Sequence, residues 1–196
     1  MRVRKSVIVG AALVFACIPA MAVVGAGPEA EVGQAVGSAP QAADDRGLIE
    51  ELMNRYGTVH DFGTPEEYAD LFTVNGAILI ANGRTIVRGR DALIAQAKSD
   101  HERFSTSAGP DGKSTSIMRH LISNTQVTIT GPDSAVGQSY VTTVVQKGDI
   151  GPAILSVGRY EDEFSKQNGQ WRIARRKIIM DFGNTDLAKK LGFVKG

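Results

Sequence analysis

The chain has a single cysteine, a single tryptophan and three histidines in 196 residues. Cys17 lies inside the first apolar run, so the rest of the chain can form no disulfide within itself and offers no thiol chemistry. His60, His101 and His120 are too dispersed for a spacing such as H-x3-H, and no metal site is expected. A P-loop, a dinucleotide fingerprint, a serine-nucleophile motif and a zinc signature are all missing, so no cofactor is expected either. An excess of one charge is lacking too: 22 Lys and Arg stand against 21 Asp and Glu, a net charge of +1. No basic run interleaved with aromatics occurs, which argues against a nucleic-acid partner.

Long apolar runs are almost absent. The one candidate, residues 7–18, is too short to span a bilayer and follows Arg2, Arg4 and Lys5. Ala20-Met21-Ala22 then fits a small-x-small cleavage site, so residues 1–22 read as a secretory signal peptide. The expected location is exported, in a bacterial periplasm or secreted, with no stable membrane insertion after cleavage. Cleavage before Cys17 with lipidation is poorly served by Phe15 and by Ile18-Pro19. Loss of the leader removes three basic residues and no acidic one, leaving a net charge of about −2.

What is present is an ordinary globular composition, 42% hydrophobic and 22% charged, long enough for one substantial core. Residues 23–43, rich in Ala, Gly, Pro and Gln, read as a flexible linker. The folded domain is expected over 44–184, with 185–196 as a tail. Asp44 or Asp45 caps a helix running to about His60, with Leu48, Ile49, Leu52, Met53 and Tyr56 on one stripe. Thr64-Pro65-Glu66-Glu67 starts a second, short helix. Two strands follow around Asn82-Gly83, then a helix over 90–104 and a Gly/Pro/Ser loop over 105–114. From Ser116 onward the pattern is a four-stranded meander. Helices first and strands last give an α+β layering, with a curved antiparallel sheet wrapped on the N-terminal helices as a cone enclosing a cavity.

The last hairpin organises this sheet. Asn168-Gly169 suits a type I′ turn, and a two-residue loop pairs Phe164 with Ile173, Asp162 with Arg175, Glu161 with Arg176 and Tyr160 with Lys177. In that register Tyr160, Asp162 and Arg175 face the cavity. Val157, Ile178, Met180 and Phe182 form an outer apolar patch, which suggests a homodimer or homotrimer. Trp171, just past the turn, reads as a hairpin or subunit-contact residue, and Arg84, Arg88 and Arg90 as a solvated face.

Several pieces, in this order and spacing, resemble the nuclear transport factor 2-like superfamily, in its SnoaL-like and scytalone dehydratase-like branch. They are Tyr56-x4-Asp61, the E-Y-x-D-L-F of residues 67–72, Arg119-His120-x3-Asn124, and Gly158-Arg-Tyr followed by Asn168-Gly-x-Trp171-Arg-Ile-x-x-Arg176. The resemblance implies the cone fold and an Asp–His pair at Asp61 and His120, assisted by Tyr56. Scytalone dehydratases carry a second catalytic histidine on the next strand, where residues 141–145 here, Val-Thr-Thr-Val-Val, have none. The implied activity is therefore a cofactor-independent lyase of dehydratase type, or an isomerase, acting on a hydrophobic small molecule. Tyr160, Thr143 and Arg175 are the expected substrate-binding residues.

The chemistry of such a pair is simple. A carboxylate that accepts one imidazole N–H fixes the tautomer and favours the charged ring. The other nitrogen can take a proton beside a carbonyl and return it to a leaving hydroxyl. Against this stands a structural reading, in which His120 is a satisfied, partly buried histidine, Asp61 ends a helix and Tyr56 belongs to the core. His60, adjacent to Asp61, is expected at the surface or rim, and His101 in solvent. A non-catalytic ligand-binding or assembly module of the same fold is the alternative function.

Overall fold

A computed structural model describes residues 39–105 and 116–193. The expected leader, most of the linker and most of the loop over 105–114 lie outside these residues. Helix α1 (Ala39–Phe62) and helix α2 (Pro65–Asp70) are followed by strands β1 (Phe72–Ile80) and β2 (Thr85–Arg88) and by helix α3 (Arg90–Arg103). Strands β3 (Met118–Gly131), β4 (Ser134–Lys147), β5 (Ile150–Gln167) and β6 (Gln170–Gly183) form the meander, and α4 (Thr185–Lys190) closes the described chain. Among the described residues, no helix is long and apolar enough to cross a membrane.

The strand order is β2-β1-β6-β5-β4-β3, a curved, unclosed sheet with the helices packed on its concave side. The β1–β6 pair is parallel, so the sheet is mixed rather than wholly antiparallel. Ile49, Met53 and Tyr56 of α1, Tyr68 of α2 and Leu93 of α3 meet Tyr160, Phe164 and Ile173 of the sheet in one core. A smaller cluster joins Ile117, Met118 and Val145 to Leu187, Leu191 and Phe193.

Local chemistry explains the element ends. Thr64 caps α2 in a capping box: the Glu67 amide donates to its hydroxyl at 3.1 Å, and the Thr64 amide donates to the Glu67 carboxylate at 2.7 Å. At the hairpin tip Asn168 and Gly169 both have positive φ, 51° and 76°, as a type I′ turn requires. Helix α1 begins before Asp45, which is no cap. Its buried carboxylate accepts from the Trp171 indole at 2.9 Å and from Lys166 at 2.7 Å. Trp171 therefore ties the hairpin to α1 from inside the domain.

The β5–β6 register corrects the sequence reading. Phe164 pairs with Ile173 as expected, but a bulge follows, and Glu163 pairs with Arg175, Asp162 with Arg176, Glu161 with Lys177 and Tyr160 with Ile178. A bulge slips one residue past its partner and reverses which side chains face the core. Arg176 thus points inward with 0% exposure and makes two bonds to Asp162, at 2.8 and 2.6 Å. Arg175 points outward, half-exposed, to Glu163 at 2.8 Å. Ile178 also turns into the core. Of the expected outer set Met180 and Phe182 are exposed and Val157 is half-buried, while Leu121, Val136, Tyr140 and Ile154 are exposed on the sheet as well.

Candidate functional site

The site is built where the C-terminal end of α1 lies against β3. Ile49, Met53, Tyr56 and His60 recur at helical spacing, and Gly57 and Asp61 are one turn apart on the neighbouring stripe. Gly57 is what lets the two elements touch, because a Cβ there would come within 2.7 Å of the His120 carbonyl oxygen. With the helix so close, Asp61 reaches His120 twice. Its Oδ2 accepts the His120 backbone amide at 2.9 Å, and its Oδ1 accepts the ring Nδ1–H at 2.7 Å. Nδ1 is committed to the carboxylate, which leaves Nε2 as the nitrogen with a free lone pair in the neutral ring.

His120 opens onto a cavity of about 260 Å³. Its walls are mainly apolar, with Ile78, Val87, Val141, Leu155 and Ile178 among them. Its polar lining comes from Tyr56 and His60 of α1, Tyr68 of α2, Gln96 and Asp100 of α3, and His120, Thr143, Ser156 and Tyr160 of the sheet. Among the described residues no lysine or arginine lines the cavity. The Tyr56 and Tyr68 hydroxyls are 3.2 Å apart. Burial pushes the hydroxyls of Tyr56, Tyr68 and Tyr160 above the ordinary tyrosine range, so all three stay protonated at neutral pH.

Behind these rings lies Arg176. Its guanidinium carbon is 3.9 Å from the Tyr56 ring centroid and 4.2 Å from that of Tyr160. Burial opposes its charge, but Asp162 more than offsets this and holds the guanidinium protonated. Arg176 is a support for two cavity tyrosines, not a ligand-facing charge.

His60 is not at the surface. Its ring centroid sits 4.4 Å from that of His120 and 5.3 Å from that of Tyr68, and its Nε2 lies 3.5 Å from Asp100. Burial pushes its pKa below the ordinary histidine value, against the pull of Asp100. Asp100 is itself held below the carboxylate range, because hydrogen bonds from His60 and Gln96 outweigh its burial. His101, expected in solvent, is partly buried, with its Nε2 2.9 Å from the His60 carbonyl oxygen. Donor atoms of His60, Asp61 and His120 come within 4.8 Å of one another. The closest two already share a proton at 2.7 Å, so a cation there would have to displace that bond. The arrangement suits proton transfer.

The family description that matches the sequence is that of a SnoaL-like domain, over residues 41–177. The chain belongs to the SnoaL-like family. No curated protein matches it in a sequence search. A protein of unknown function from Mycobacterium tuberculosis is similar in structure, with 29% identity and a TM-score of 0.62 over 78% of this chain and 81% of that one. An NTF2-like protein with a cystatin-like fold from Novosphingobium aromaticivorans has 22% identity and a TM-score of 0.61, covering 78% and 91%. A candidate scytalone dehydratase from the same organism has 24% identity and a TM-score of 0.60, covering 74% and 89%. The latter two likenesses carry the fold alone.

In this SnoaL-like domain the residues expected at the site separate cleanly. Asp61, His120 and Tyr56 come together, and Thr143 and Tyr160 line the same cavity. Arg175 is excluded by the bulge, and Arg176 takes the inward position without reaching the cavity wall. His60, Tyr68 and Asp100 were missed. His60 and Tyr68 carried a usable signal, since Tyr56 and His60 are four residues apart on one helical face and Tyr68 is an aromatic in a short capped helix.

Proposed function

We propose that this SnoaL-like protein is an exported, cofactor-independent lyase of dehydratase type, or an isomerase, acting on an uncharged hydrophobic small molecule. The observation that carries the reading is the Asp61–His120 pair at the wall of an apolar cavity with no lysine or arginine among its described lining residues. A carboxylate or phosphate substrate would find no lysine or arginine counter-charge among the described lining residues. A hydroxy ketone would find donors in the Tyr56 and Tyr68 hydroxyls for its carbonyl oxygen, and apolar walls for its carbon frame.

In the proposed reaction His120 Nε2 takes the proton from the carbon beside the carbonyl while the two tyrosines hold the developing oxyanion. The C–H electron pair becomes the new double bond as the β-C–O bond breaks. His120 then returns its proton to the departing hydroxyl, which leaves as water. If the proton returns to carbon two positions away instead, the outcome is isomerisation. Asp61 keeps the ring in one tautomer throughout, and Thr143 and Tyr160 shape the substrate's place.

The test is turnover of a panel of β-hydroxy ketones and β,γ-unsaturated ketones by the protein and by its His120→Ala variant. Turnover that disappears in a folded variant supports the proposal, and turnover that persists overturns it. The apolar lining also serves the other reading, a binding module. Tight binding of such ketones without conversion, unchanged by Asp61→Asn, would establish that reading instead.

A further inference from the structure

A second histidine–carboxylate pair lies in contact with the first. His60 extends from α1 with its side chain 12% exposed, and its Nε2 is 3.5 Å from Asp100 Oδ2 on α3. Asp100 is oriented in turn, since Gln96, one turn back, donates to the same oxygen at 2.9 Å. The titratable groups facing His60 come from four elements. Asp61 and Tyr56 belong to its own helix, Tyr68 to α2, Asp100 and His101 to α3, and His120 to β3. Burial keeps both tyrosines protonated, and the charge-bearing rings in direct contact are those of His60 and His120. Their centroids are 4.4 Å apart, and two positive rings at that distance in a water-poor site repel each other.

We infer that His60 is a second catalytic acid–base residue, and that His60 and His120 hold one proton between them and divide the two proton transfers. The inference rests on the acid–base reading of Asp61 and His120 given above. His120 takes the proton from carbon, and the C–H electrons form the double bond as the C–O bond breaks. The oxygen leaves as water with a proton supplied by His60. The pair ends with its one proton on His120, and the return of that proton to His60 restores the starting state. Asp100 steadies the ring of His60 while it carries the proton. In this fold the second histidine comes from the first helix, where the strand position across from His120 is occupied by Thr143.

The aldol adduct of acetone and benzaldehyde is the probe, because loss of water from this β-hydroxy ketone gives a strongly absorbing enone. A pair that works only when singly protonated gives a bell-shaped dependence of kcat/KM on pH, whereas one histidine recycling its own proton gives a single acid-side limb. His60→Gln is expected to lower kcat about 100-fold or more and to remove the alkaline limb. A merely structural role for His60 would lower the rate without changing the shape of the profile. A single limb in the unmodified protein, or a bell retained by His60→Gln, overturns the inference and leaves the Asp61–His120 reading standing. Turnover retained by His120→Gln overturns that reading instead. In the ligand-free protein the NMR titration midpoint of His60 is expected to rise when His120 is replaced by Gln. An unchanged midpoint overturns the shared proton.

Discussion

Asp61 holds His120 by two bonds, one to the backbone amide at 2.9 Å and one to the ring Nδ1 at 2.7 Å. The first fixes where the strand sits against the helix end, and the second fixes which ring nitrogen carries the proton. Asp61→Asn keeps an acceptor for one donor but gives up the charge. Turnover is expected to fall about 10²–10⁴-fold, the range for losing a positioned acid–base group. Nitrogen NMR of the His120 ring is expected to show Nδ1 protonated in the unmodified protein and a mixture of tautomers in the variant. An unchanged tautomer would mean that Asp61 does not set it.

The packing that permits this contact makes its own prediction. Gly57→Ala places a methyl group within 2.7 Å of the His120 carbonyl oxygen, and backbone must shift to admit it. The expected loss is about 1–3 kcal/mol, as for overpacking, with a loosened Asp61–His120 bond and lower turnover. Gly47 is also in α1, but a Cβ there meets nothing within 4 Å. Gly47→Ala is therefore expected to stabilise by about 0.5–1 kcal/mol. Urea unfolding of the two variants reads the difference, and similar shifts in both would show that the helix–strand contact is soft.

Much of this fold was legible in residues. The Asn168-Gly169 turn, the Thr64 capping box and the apolar stripe of α1 each follow from local chemistry, and the helix-then-meander order gave the layering. The bulge after Phe164 was not legible, because either register paired opposite charges, and only the packing of Arg176 against Tyr56 and Tyr160 distinguishes them. Asp61 and His120 were placed together by family resemblance, since a separation of 59 residues carries no local signal of contact. His60 was misjudged because neighbours on a helix point about 100° apart. Here both directions lead inward, as Asp61 meets β3 while His60 meets α3 and the cavity.

The buried and the exposed arginine of β6 are expected to behave oppositely. Asp162→Asn leaves the Arg176 guanidinium buried without its counter-charge, a loss of about 3–5 kcal/mol by the usual cost of breaking a buried pair. It also frees the guanidinium beneath the Tyr56 and Tyr160 rings, so cavity ligands are expected to bind more weakly. Arg175→Ala removes a solvent-screened pair with Glu163, worth about 0–1 kcal/mol. Equal thermal shifts in both variants would contradict the inward placement of Arg176.

The buried state of His60 gives stability a pH dependence with a definite sign. Its folded pKa lies below the ordinary 6.5, so under mildly acidic conditions the unfolded chain binds a proton that the folded chain refuses. Above pH 6.5 the residue contributes no slope, and as pH falls below that value stability declines until the lower folded pKa is reached. Asp100, also held low, adds a loss of its own only at more acidic pH, below its ordinary 3.8. Urea unfolding between pH 7.5 and pH 5 is therefore expected to show a decline that His60→Gln reduces, because glutamine takes no proton in either state. A decline of the same size in the variant would assign it to other groups and show that His60 is charged as readily inside the fold as outside it.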